Sequence, residues 1–471
     1  MNRPPHIILI LSDEHRGQAM GHMGDRNLRT PEMDRLAAEG ASFKRAYANC
    51  PICTPSRGTI FSGRHAHAGP IRGFFESYQA GAPSLATELR AAGYHTAYFG
   101  KWHGSQVHSE VPPAVRENPK AWGGVPWRTP EHLRGGFQDW FAFEINNKPF
   151  DGFYYHGSEI NPRRMKGFQT DWLTDMAIEY LRNYDGKKPL FLVLSAEPPH
   201  FPLDAPDRFK RFDTSALELR PNFTDTPANR SELALYYAMI ENLDWNIGRL
   251  RHELTALSGF DHLITSYVSD HGEYLGSHGR SQRKEHPHEE SIRIPAIFNF
   301  PGIIPTQGGV DGLFSLVDLA PTLLGLAGLH APSWMQGRDF SPHLLGKPMD
   351  LPNEVLLEMT GAPRWNLDFC DWRGFVDNKT KYAFYETGFE LLFDLEHDPY
   401  EMKNLALDNP AICQPQRERL LHMLRETREP FFDVIIEHGV PIPENWRTVE
   451  NVPNPGPFLG LNDDGTWRLK T

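Results

Sequence analysis

The feature that most constrains this chain is a set of short apolar, β-branched-rich segments at 7–11, 95–99, 189–195 and 262–269, separated by longer amphipathic stretches. Short continuous apolar runs are the mark of strands covered on both faces. Alternating with helices, such strands build a largely parallel sheet between helical layers. The helical signals agree with that α/β class. Thr30-Pro31 offers an N-cap and a first-turn proline to a helix that carries Met33, Leu36 and Ala37 and is stopped by Gly40. A second helix is expected from Ser84 to the stop at Gly93. Over 171–184, Leu173, Met176, Ala177, Tyr180 and Leu181 share one face, and a long helical region is expected over 231–257. From about 355 the pattern changes to short strands at 376–379, 382–385 and 390–395, then a helix over 415–427. The expected organisation is an α/β catalytic domain over 1–350, a small α+β subdomain over 351–430, and a Pro-rich tail over 431–471 that wraps a surface or a neighbouring subunit, giving a route to oligomers.

With 40 Gly and 40 Pro among 471 residues, much of the chain is loop, which suits a site assembled from strand ends and long connections. A net charge of −12 argues against a nucleic-acid partner, which needs a basic face. An anionic ligand must therefore be held by a local cluster of cations. The four cysteines are too few for a disulfide scaffold, and Cys50-Pro51-Ile52-Cys53 has no second pair at zinc-site spacing. The apolar run 7–11 is too short for a signal-peptide core, and no run is long enough to span a membrane, so a cytoplasmic location is expected.

Four expected strands run directly into ionisable residues: Asp13-Glu14, Lys101-Trp102-His103, Glu197-Pro198-Pro199-His200 and Asp270-His271. In parallel α/β sheets the carboxyl ends of strands form the rim where ligands bind. One charged strand end is commonly just solvated, or a helix cap; four with acid/base or metal-ligand residue types mark a site. A fifth element joins them. In Cys53-Thr54-Pro55-Ser56-Arg57, Thr54 as N-cap and Pro55 at the first helical position put Cys53 at a helix N-terminus, with Arg57 one turn on. That is an anion-binding environment.

These residues resemble the sulfatase family. Cys53-Thr54-Pro55-Ser56-Arg57, followed by Ser62-Gly63, matches its Cys-x-Pro-x-Arg signature, and further motifs fall in family order: Asp13, the 30–40 helix, Gly100-Lys101-Trp102-His103, Pro199-His200-Phe201-Pro202, Ser269-Asp270-His271-Gly272, Lys284 before His288-Glu289-Glu290-Ser291, and Leu392-Phe393-Asp394-Leu395-Glu396-His397-Asp398-Pro399. The resemblance implies an alkaline-phosphatase-like α/β/α fold and hydrolysis of sulfate monoesters. It implies that a maturing enzyme converts Cys53 to formylglycine, whose hydrate attacks sulfur and then expels sulfate. It further implies one divalent metal, calcium by family default with manganese or magnesium as alternatives, on Asp13, Asp270, His271 and the modified Cys53. Glu14 stands where a second Asp is common, and is either a longer-armed ligand or a residue behind the ligands. His271 stands where many arylsulfatases have Asn. Arg57 and Lys101 would stabilise the nucleophile and sulfate oxygens, His103 would hold or deprotonate the non-attacking hydroxyl, and His200 and Lys284 would contact sulfate and protonate the leaving oxygen. A phosphonate or phosphate ester hydrolase of the same superfamily, or an unmatured anion-binding protein, are the alternative readings. The segment 104–170 carries Trp122, Trp127, Trp140, Phe141, Phe143, Phe153, Tyr154 and Tyr155 with Arg128, Arg134, Arg163 and Arg164. Aromatics so dense are more often core than sugar platform; the arginines point to a sulfated, acidic sugar as substrate.

Overall fold

The computed structural model describes residues 3–105, 126–280, 284–306, 308–362 and 370–438, and the backbone of two further strands at 458–461 and 467–470. The first part of the chain forms β1 (His6–Ser12), α1 (Pro31–Ala38), β2 (Ala41–Tyr47), α2 (Cys53–Ser62), α3 (Leu85–Ala91), β3 (His95–Lys101), β4 (Asp139–Phe143), β5 (Phe153–His156) and β6 (Arg163–Arg164). Then come α4 (Gln169–Asn183), β7 (Leu190–Ser195), α5 (Pro227–Ala256), β8 (Leu263–Ser269), β9 (Arg293–Ile294), β10 (Ala296–Asn299), β11 (Gly308–Ser315) and α6 (Leu319–Leu326). The strands make one eleven-stranded sheet in the order β11-β2-β10-β8-β1-β7-β3-β4-β5-β6, with β9 paired to β2. Its centre is parallel: Ile10 lies between Leu194 of β7 and Tyr267 of β8, and β3 runs parallel to β7 and β4. β10 is antiparallel to both its neighbours, and β5 and β6 close one edge antiparallel.

β1 is buried over its whole length, and its two faces lead into two different cores. Ile7, Leu9 and Leu11 pack with Ile60 and Phe61 of α2, Leu85 of α3 and Leu323 of α6. Ile8 and Ile10 pack with Leu36 of α1, Leu173 of α4 and Ile240 of α5. The unbroken apolar run is thus the signature of a strand between two helical layers, and the architecture is the α/β/α sandwich expected.

Two helix starts differ from expectation. Thr30 does not cap α1: its hydroxyl donates to Asp34 (3.0 Å) and accepts from the Gly21 N–H (2.8 Å). Asp244 of α5 supplies the cap instead, accepting from the N–H groups of Met33 (2.8 Å) and Glu32 (3.1 Å). Packing against a neighbouring helix overrides the local signal. α2 begins at Cys53 itself, with Ile52 as N-cap, so Thr54 and Pro55 lie inside the first turn. α3 does start as read, with a capping box between Ser84 and Thr87.

The insertion builds structure. Trp127, Trp140, Phe143, Phe153, Tyr154 and Tyr155 are buried, supporting β4 and β5; Trp122 lies outside the described residues. Arg134 is buried over the Trp140 ring, 5.1 Å from its centroid, and donates to the Thr129 and Gly157 carbonyls, so it is not free to grip a ligand. Arg163 is paired with Glu159.

The smaller sheet is antiparallel, β12 (Glu354–Met359), β13 (Trp372–Asp377), β14 (Thr380–Tyr385) and β15 (Glu390–Asp394). The strand signal missed at β12 is hidden in a run that also carries two glutamates. One face packs Val355, Leu357 and Trp372 against Tyr47, Ile52 and Ile292 of the larger unit. The other packs Leu356 and Phe375 against α7 (Gln414–Thr427) and α8 (Phe431–Glu437). α8 occupies the start of the stretch expected to be tail, with Phe431 and Ile435 buried in that cluster. Among the described residues no helix is long and apolar enough to cross a membrane.

Candidate active site

All ten residues singled out from the sequence lie at or beside the carboxyl ends of β1, β3, β7 and β8, at the start of α2, or on the turn before β9, and all ten are buried. The rim is tightly built. Gly100, at φ +100°, lets β3 pass β7 so closely that a Cβ there would lie 1.9 Å from the Ser195 carbonyl oxygen. Just beyond the strand ends, Glu14 (φ 67°) and His103 (φ 49°) hold left-handed backbone that such residues rarely adopt, a strain that tends to collect at functional sites.

Arg57 organises the charges. Its Nε donates to Asp270 (2.9 Å), one Nη to Asp13 (3.2 Å), and the other Nη to the Lys101 carbonyl (2.7 Å) and Ser195 hydroxyl (3.0 Å). Lys101 Nζ stands 2.6 Å from Asp13 and 3.5 Å from Glu197. Burial works against the Asp13 charge, but Lys101, His200 and Arg57 outweigh it and hold the carboxyl well below its usual range. Asp270 is pushed the other way, to about 7, by burial and by the Asp13 charge beside it. Both carboxylates turn their second oxygens, Asp13 Oδ1 and Asp270 Oδ1, toward His271 Nε2.

Cys53 Sγ meets them there. It lies 3.1 Å from His271 Nε2 and 3.6 Å from Asp13 Oδ1. His271 Nε2 is 3.5 Å from Asp13 and 3.7 Å from Asp270, and its Nδ1 donates to the Gly272 carbonyl (2.9 Å). That bond fixes the tautomer and leaves the Nε2 lone pair facing the two carboxylates and the sulfur. Burial keeps the imidazole neutral by lowering its pKa well below the ordinary value. The ligand atoms of Asp13, Cys53, Asp270 and His271 all lie within 4.8 Å of one another. Carboxylate oxygens, one neutral imidazole nitrogen and the side chain of residue 53 are a donor set that fits one divalent ion.

On another side of Cys53, Lys284 Nζ lies 3.5 Å from the sulfur and 3.3 Å from His200 Nε2. Glu14 pairs with Lys284, and its Oε1 is 3.2 Å from His200 Nε2. With Asp13 and His200 it forms a second cluster overlapping the first. His103 packs edge-on to Phe74, and burial, then the charges of Lys101 and Arg57, hold it neutral.

Sequence reasoning assigned no role to Glu197 or Ser195. Glu197 accepts from the N–H groups of Asn146 (3.2 Å) and Asn147 (3.1 Å) and from Gln169 (3.0 Å), tying the insertion and α4 to Lys101. Its only signal was its place at a strand end.

The chain's likeness to known proteins agrees with the geometry. The sulfatase family description matches residues 5–329, and that of the C-terminal part of N-sulphoglucosamine sulphohydrolase matches 276–429. An ulvan-active sulfatase of Formosa agariphila is 30% identical over 88% of this chain and 79% of its own length. An N-acetylglucosamine-6-O-sulfatase of Bacteroides thetaiotaomicron is 25% identical over 91% and 87%. A solved structure concerned with the metabolism of multiple glycosaminoglycans by the same bacterium superposes with a TM-score of 0.83 at 26% identity, covering 93% of this chain and all of that one. Solved sulfatases of this kind have the alkaline-phosphatase-like fold, and this sheet is built the same way. The chain belongs to the sulfatase family and is a sulfatase hydrolase.

Proposed function

We propose that the protein hydrolyses sulfate monoesters of a carbohydrate, with Cys53 matured to formylglycine and one divalent ion, calcium by preference, held by Asp13, Asp270, His271 and residue 53. The observation that carries this reading is the meeting of Cys53 with two carboxylates and an imidazole inside a ring of Arg57, Lys101 and Lys284. A plain thiol is a poor candidate for the nucleophile. Burial and the Asp13 charge push the Cys53 thiol above its ordinary pKa, away from the thiolate. The hydrated aldehyde supplies a nucleophile with a second hydroxyl, through which sulfate can leave. When bound by these residues, a divalent ion would supply charge neutralisation and would acidify the attacking hydroxyl.

The remaining work falls to residues in place. Arg57 keeps Asp13 and Asp270 apart and aimed. Lys101, held charged by Asp13 despite its burial, presents a fixed cation to the sulfuryl oxygens. His103, neutral on this rim, takes a proton from residue 53. On the opposite side, Lys284 faces the bridging oxygen and delivers its proton, while His200, kept neutral by burial, contacts sulfate and orients the Lys284 ammonium. The relatives named for ulvan and for N-acetylglucosamine sulfate support a sulfated sugar as the ester.

The test is a panel of sulfate, phosphate and phosphonate esters given to protein co-expressed with a maturing enzyme. Peptide mass analysis should find the aldehyde at Cys53 and not at Cys50, and Cys53→Ala should be inert. kcat/KM for an aryl sulfate should exceed that for the matching phosphate monoester by about a hundredfold, roughly 3 kcal/mol of transition-state preference. A phosphonate monoester turned over faster than every sulfate, sugar sulfates included, would replace this reading with a phosphonate hydrolase.

A further inference from the structure

Lys284 reaches the site from a turn that the small subdomain largely holds. Trp372 Nε1 on β13 donates to the Glu285 carbonyl (2.8 Å), and His286 Nδ1 lies 2.9 Å from the Tyr385 hydroxyl on β14. The His288 ring packs 5.4 Å from Phe393 on β15. The turn closes at Glu289, whose backbone N–H donates to Glu401 (2.7 Å). Lys381 Nζ donates both to Glu401 (2.6 Å) and to the Glu289 carboxylate (2.8 Å), and all three residues are buried. Within the turn, the Ser291 hydroxyl donates to the Lys284 carbonyl.

A buried lysine between two carboxylates is a poor device for stability alone, because desolvating three charges offsets most of their attraction. It is a good device for fixing one backbone geometry. Glu401 is itself held at φ 54°, a left-handed conformation that aims its carboxylate at the Glu289 N–H. The second family description begins at 276, before Lys284, and runs to 429, so the turn and the subdomain match as one stretch.

We propose that Lys381 and Glu401 are positioning residues for Lys284: through Glu289 they lock the turn that sets the Lys284 ammonium beside Cys53. The subdomain thus acts in turnover without touching the reacting atoms. This rests on the role given to Lys284 above.

The experiment uses matured, calcium-loaded full-length enzyme. Lys381→Met, Lys381→Arg and Glu401→Gln are each measured for kcat and KM, and for carbamylation of Lys284 by cyanate, read by peptide mass. Lys381→Met and Glu401→Gln should lower kcat about ten- to a hundredfold, the cost of misplacing a reacting group by about 1 Å, with a smaller change in KM. Carbamylation of Lys284 should become several times faster, Lys381→Arg should recover most of the activity, and Glu401→Gln added to Lys284→Ala should cost nothing further. Parent-like kcat and labelling in both variants would overturn the proposal, as would fully additive losses on Lys284→Ala. If Lys284→Ala itself turns over normally, the role given to Lys284 fails, and the labelling rate alone decides whether Lys381 and Glu401 position it. If Lys381→Met does not fold, Glu401→Gln, which keeps an acceptor for the Glu289 N–H, decides by the same readouts.

Discussion

Arg57 shows how much one side chain can carry. Its planar fork serves two carboxylates, a carbonyl and a hydroxyl at once, and it is 1% exposed. Lysine has the charge but not the fork. Arg57→Lys should therefore break at least one of the two buried guanidinium–carboxylate bonds, with Asp13 keeping Lys101 and Asp270 keeping the His271 N–H, at a cost of about 1.5–3 kcal/mol, measured by denaturant unfolding. A variant as stable as the parent would mean that water or an ion takes the place of the guanidinium. The residue types at this scale were readable in the sequence, since Asp13, Arg57, Lys101, Asp270 and His271 all sit at strand or helix ends. Their partners were not. That Glu14 faces Lys284 and His200 depends on a left-handed turn after β1 that the sequence did not announce.

Among the elements, α1 gives the clearest case of tertiary packing replacing a local signal. Its first N–H groups go to Asp244, a buried carboxyl on α5, while Thr30 turns to Asp34. Burial raises the Asp244 carboxyl from 3.8 to about 7. A raised carboxyl pKa means the folded chain binds the proton more tightly than the unfolded one. Its contribution to stability is therefore complete below about pH 4 and is lost as pH rises through about 7. Asp244→Asn, neutral throughout, should gain stability relative to the parent between pH 4 and pH 8, by on the order of 1–4 kcal/mol. Paired denaturation curves at the two pH values check this; a pH-independent difference would mean that Asp244 is ionised in the fold, stabilised by the helix N-terminus.

For the molecule as a whole, the site joins separate parts of the chain, so whatever binds there stabilises the fold. Asp13, Cys53 and Asp270 come from three elements brought together only by folding. Calcium should raise Tm with the logarithm of its concentration, by about 3 kcal/mol of added stability at a hundredfold excess over Kd, and a chelator should reverse it. A Tm indifferent to both would remove the ion from the proposed function.

The sequence by itself determined the sandwich, because continuous apolar strands can be buried only between two layers, and it located the rim, because ionisable residues follow those strands directly. Helix bodies were legible for the same reason, through their apolar stripes. Only the tertiary structure decided where the insertion's aromatics go, which residue caps α1, and how Lys284 is held. Each of these is settled by contacts between segments far apart in the chain: Arg134 over Trp140, Asp244 at Met33, Lys381 between Glu289 and Glu401. Periodicity reports which face of an element is buried, but not which partner covers it, and in this protein the partner sets the geometry of the site.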